Sequence, residues 1–80
     1  MMRAKESKVV VTFASTSDAM SMEVAARANG IPGRIIPVPS EISAGCGLSW
    51  CAPTEQREEL LEAIKRFELP HEGVFTVEMY

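Results

Sequence analysis

Eighty residues suffice for one domain with a marginal core, and the 46% hydrophobic fraction is ordinary for a globular chain and too high for disorder. The formal net charge is −3 and the basic residues are scattered, which argues against the clustered basic stripe of a nucleic-acid face. No apolar run approaches the roughly 20 residues that cross a bilayer, and two cysteines cannot build a multi-bridge secreted framework. The first eight residues carry charge without a following apolar segment of signal-peptide length. The expected compartment is therefore the reducing cytoplasm, where a single accessible thiol stays a thiol.

Residues 1–7 are polar and read as a flexible tail, with one domain over residues 8–80. Val9-Val10-Val11-Thr12-Phe13 is a β-branched and aromatic run, the clearest strand in the chain. Val9, Val11 and Phe13 share one face; Val10 and Thr12 share the other. Ser15-Thr16-Ser17-Asp18 fits the start of a helix, whose first free amides need a hydroxyl or carboxylate partner. Ala19 to Asn29 continues that helix and Gly30 is placed to end it. Met20 with Val24, and Met22 with Ala26, give it a broad inward stripe of core filler.

Arg34-Ile35-Ile36-Pro37-Val38-Pro39 reads as a second strand, sent to a sheet edge by prolines that cannot donate ladder hydrogen bonds. Leu48 to Ala52 is a third, with Leu48, Trp50 and Ala52 on one side; Trp50 is expected in the core or an interface. Pro53-Thr54-Glu55 opens a second helix with Leu60, Leu61, Ile64 and Phe67 at helical spacing. Glu62 and Arg66 pair at i,i+4 on its outside. Val74 to Met79 is the last strand, with Phe75, Val77 and Met79 facing one way.

The order β-α-β-β-α-β predicts an α+β, ferredoxin-like domain, a four-stranded antiparallel sheet with two helices on one face. The uncovered face would carry Val10, Thr12, Ser49, Cys51, Val74, Thr76 and Tyr80. That surface is too apolar for water over a wide area, and pairing with a second copy of the chain would cover it.

Within this frame Gly45-Cys46-Gly47-Leu48 stands out. Flanking glycines give Cys46 no side chains to pack against, but they offer backbone freedom and unshielded amides that can stabilise a thiolate. Two readings follow. Cys46 is an accessible sulfur nucleophile on a tight loop, or the glycines only make a turn and the cysteine is incidental.

Pro37-Val38-Pro39, Glu41-Ile42 and Cys46-Gly47-Leu48 together resemble the signature of a small family of selenium/sulfur carrier-like proteins. Phe13, Ser15 and Glu23 fit the strand end, helix cap and helix glutamate of that family, and the resemblance runs from about Val9 to about Val77. It implies that Cys46 holds a persulfide or selenosulfide for delivery to a partner, with donor and acceptor proteins as partners. Gly45, Gly47 and Leu48 would form the backbone and flanks of its site. The resemblance gives Cys51 no role.

Such chemistry needs an exposed, partly deprotonated sulfur and no triad, metal or cofactor. His71 sits in a Pro-His-Glu-Gly turn, where loop polarity explains it. Two cysteines and one distant histidine fall short of a structural zinc site. Glu41 would raise a neighbouring thiol's pKa, so it has no catalytic role. If residues 46 to 51 run extended, Cys46 and Cys51 stand roughly 16 Å apart, too far for a disulfide. The chain is thus expected to be an accessory carrier rather than a self-contained enzyme. The rival is a regulatory or protein-interaction module of the same fold.

Overall fold

The computed structural model describes residues 6–40, 42 and 47–79. Strand β1 spans Glu6–Thr12, helix α1 Thr16–Asn29, β2 Arg34–Pro37, β3 Leu48–Pro53, α2 Arg57–Arg66 and β4 Gly73–Met79. A 3-10 turn, Thr54–Gln56, joins β3 to α2. The sheet runs in the order β2-β3-β1-β4, and every neighbouring pair is antiparallel. This is the expected ferredoxin-like arrangement, with β2 at an edge and β1 and β3 central. β1 begins earlier than the valine run: Glu6 and Ser7, expected in the tail, pair with Met79 and Glu78.

The helix ends follow from local chemistry. Ser15 is the N-cap of α1, and its Oγ accepts from the Asp18 amide at 3.3 Å. Gly30 takes a left-handed φ of 66°, which lets its own amide and that of Ile31 both reach the Ala26 carbonyl. Helix α2 ends the same way without a glycine. Glu68 has φ 50°, its amide donates to the Lys65 carbonyl, and the Leu69 amide donates to that of Ile64. Glu62 and Arg66 do pair along α2, at 3.7 Å.

The core lies between helices and sheet. Val9, Val11, Phe13, Trp50 and Ala52 from the sheet meet Ala19, Met22 and Ala26 of α1 and Leu60 and Ile64 of α2. The inward stripe of α1 is narrower than expected. Met22 is fully buried, whereas Met20 and Val24 are 45% and 65% exposed. Trp50 is core, and its Nε1–H donates to the Pro32 carbonyl at 2.8 Å. Gly33 makes room for that indole: a Cβ there would stand 2.2 Å from Nε1 and 2.6 Å from the Cys51 carbonyl oxygen.

The last strand has the opposite phase to the one expected. Val74 pairs with Val11 and packs against the core, while Phe75 pairs with Val10 on the other face and is 40% exposed. The closest backbone approaches of α1 are to β3 and β2 and that of α2 is to β3, so the covered side of β4 sits toward the rim of the helical layer. There the register with β1, not the hydrophobicity of β4, decides which side chains face inward.

The helix-free face also differs from expectation. Val10, Thr12, Ser49 and Cys51 point to it, and all four are buried within this one chain. The Phe75 ring folds back over Gly73 beside Thr12, since a Cβ on Gly73 would lie 3.0 Å from the ring and 3.4 Å from Thr12 Oγ1. The centre of that face therefore needs no second copy to shield it. Tyr80, expected there, lies outside the described residues.

Candidate functional site

Of the sequence-predicted site, Gly47 and Leu48 are described; Gly45 and Cys46, with Glu41, lie outside the described residues. What the structure gives is the frame on both sides of them. The β2–β3 ladder closes on Pro37 against Leu48. One rung further the Val38 amide donates to the Gly47 carbonyl at 3.1 Å. On the incoming side the Ile42 amide donates to the Pro39 carbonyl at 3.0 Å, a turn that leaves Ile42 half-buried.

Gly47 is exposed, and a Cβ built on it would meet nothing within 4 Å. Leu48 packs its side chain against the core while starting β3. Gly47 thus stands at the base of the β2–β3 connection, beside a packed strand.

The register also says which elements share this end of the sheet. Thr12 lies opposite both Ser49 and Gly73, so the ends of β1 and β2 and the starts of β3 and β4 are together. Helix α1 starts here, just after Phe13. A helix N-terminus carries partial positive charge and favours nearby anions. His71 is at this end too, exposed, with Nδ1 3.1 Å from the Leu69 carbonyl, as a turn residue would be. Among the described residues no three His, Cys, Asp or Glu side chains gather to hold a metal ion.

Cys51 is different. It lies mid-strand in β3 opposite Val10 and Arg34, and it is buried and not part of a disulfide. Burial pushes its pKa above the ordinary thiol value; Lys8 and Arg34 pull it back by less. A buried, protonated sulfur is a poor nucleophile. With Leu48–Cys51 extended, Gly47 and Cys51 are about 13 Å apart, well beyond the ~7 Å that a disulfide between such positions would need. The proximity of Lys8 and Arg34 was not anticipated from the sequence, because it depends on the pairing of three strands.

Residues 8–76 match a family described as "Putative Se/S carrier protein-like". The chain belongs to this family. The match takes in β1 through most of β4, so membership rests on the whole fold and not on the cysteine loop alone. Neither the curated proteins nor the solved structures offered a match. The family description names a carrier of selenium or sulfur, and no helix among the described residues is long and apolar enough to cross a membrane.

Proposed function

We propose that this chain carries reactive sulfur or selenium on Cys46 and hands it to a partner protein in the reducing cytoplasm. The observation that carries the reading is the family match over residues 8–76. The state of Cys51 supports it, since packing takes that thiol into the sheet and leaves Cys46 for the chemistry. In the loading step the Cys46 thiolate attacks the outer sulfur of a donor cysteine persulfide. The donor's S–S bond breaks, a new one forms on Cys46, and the donor cysteine leaves as a thiolate. No net oxidation occurs and no cofactor is needed. Delivery repeats the exchange on an acceptor thiolate, and selenium in place of the outer sulfur follows the same course.

In this reading Gly45, Gly47 and Leu48 form the setting of the sulfur. Open space around Gly47 leaves room for a partner's active site to approach, and the Val38–Gly47 rung fixes one end of the loop. The test is whole-protein mass spectrometry after incubation with a cysteine desulfurase and cysteine. A reducible adduct of one or more sulfur atoms, abolished by Cys46→Ser, is expected. No adduct from this donor or from selenide with an oxidant would leave the fold as an interaction module.

A further inference from the structure

The two edges of the sheet differ in what they can donate. In an antiparallel sheet each residue points its N–H and C=O to one side, and successive residues alternate. The Val38 amide bonds Gly47 across the β2–β3 ladder, so Arg34, Ile36 and Val38 face β3 and Ile35 and Pro37 face outward. Of those two outward positions Pro37 has no N–H, and the chain turns at Pro39 just beyond it. The short β2 edge therefore offers an incoming strand a single amide, that of Ile35.

Among the described residues the opposite edge, β4, has no strand beyond it. The Thr12 carbonyl accepts from the Glu72 amide at 2.7 Å, so Thr12 faces β4, as do Val10 and Lys8 by alternation. The pairing of Lys8 with Pro53 agrees, because a Lys8 turned toward β4 asks no N–H of that proline. Gly73, Phe75 and Val77 therefore face β1, and Val74, Thr76 and Glu78 present amides and carbonyls outward. β4 is seven residues long against four for β2, and it holds no proline or lysine to block an incoming strand.

We infer that β4 pairs antiparallel with β4 of a second copy of this chain, joining two four-stranded sheets into one about a two-fold axis at Thr76. This inference does not rest on the sulfur-carrier reading. The strand is complementary to itself in that register. Thr76 meets its own copy and Val74 meets Glu78 of the other strand, each pair exchanging both N–H···O bonds. Phe75 then lies opposite Val77 of the other copy in a non-bonded pair, where side chains come closest, and an aromatic against a β-branched residue is a favourable cross-strand match. That accounts for a phenylalanine left 40% exposed on the helix-free face. Moving the axis to Glu78 would set two carboxylates opposite one another, and moving it to Val74 would shorten the ladder.

The experiment is sedimentation velocity on the whole chain from low micromolar to near-millimolar, with wild type beside Thr76→Pro. Proline at an outward position removes the central donor without touching the β1 ladder. A reversible dimer is expected in wild type, weakened at least about tenfold in Thr76→Pro with unchanged circular dichroism. Amide hydrogen exchange on wild type reads the same interface independently, even if the variant fails to fold. Exchange at Val74, Thr76 and Glu78 should slow as concentration rises, while that of Ile35 on the β2 edge should not. A monomer throughout, a dimer that survives Thr76→Pro, or protection of the β4 amides only when another protein is added would overturn the inference.

Discussion

The Val38 amide and the Gly47 carbonyl, 3.1 Å apart, extend the β2–β3 ladder one rung past Pro37 and Leu48. That rung lies between two prolines that cannot donate, so Val38 is the one residue of Pro37-Val38-Pro39 able to tie the strand to its neighbour. Pro37 leaves the outer edge without a donor there, while Val38 ties the end of β2 to the residue before β3.

The first prediction concerns the two thiols. In native protein Cys46 should alkylate with iodoacetamide several-fold faster than Cys51, which is buried and held protonated. Cys51→Ser should leave sulfur loading intact. Peptide mapping after a short labelling pulse checks the order, and equal or faster labelling of Cys51 would refute it.

Cys51 also sets a stability that depends on pH. Its folded pKa stands above the ordinary 9.0, so from pH 9 upward the unfolded chain releases this proton first. Stability should be level with respect to this group below pH 9 and fall as pH rises beyond it. Urea midpoints for wild type and Cys51→Ala across that range should converge toward high pH. Parallel curves would show that the thiol titrates as in the unfolded chain.

Met22 and Met20 test the inward face of α1. Met22→Ala should cost about 2–5 kcal/mol, because the side chain is fully buried in the core. Met20→Ala should stay within about 0.5 kcal/mol, since nearly half of that residue is in water. Both changes carry the same intrinsic helix propensity, so similar urea midpoints would mean that the helix is rotated.

Much of the fold was legible because several local signals agreed. Ser15, Gly30, the prolines of β2 and the valines of β1 each pointed to the element that formed. The phase of β4 was not legible. Its Phe75-Val77-Met79 side is the more apolar, but three consecutive valines in β1 are buried on both faces and give no phase to copy. Only pairing of Val11 with Val74 fixes it. In α1 the apolar residues Met20 and Val24 continue around the helix past the line of contact with the sheet, so spacing alone could not say which side was inward. The cysteine loop was singled out by composition, which names a chemistry without supplying a distance.

Glu68 offers a stabilising change. It holds the left-handed position after α2, where glycine carries no Cβ penalty. Glu68→Gly should raise stability by about 1 kcal/mol, read as an increase in melting temperature. A decrease would mean that the side chain contributes more than its backbone strain costs.

Gly33→Ala should do the reverse. The new methyl would overlap Trp50 Nε1 at a φ of 117°, and strain of that kind costs about 1–3 kcal/mol before any clash is counted. A melting temperature within error of wild type would show that the indole can move away without loss.

The hydrogen bond from Trp50 to Pro32 gives the molecule a spectroscopic signal of its own. The chain has a single tryptophan, 3% exposed, whose indole is tied to the segment leading into β2 and whose backbone lies in the ladder facing it. Its emission therefore reports whether β2 is docked on β3, the pairing that forms the base of the β2–β3 connection. That docking can be followed in real time without a label, and without touching either thiol.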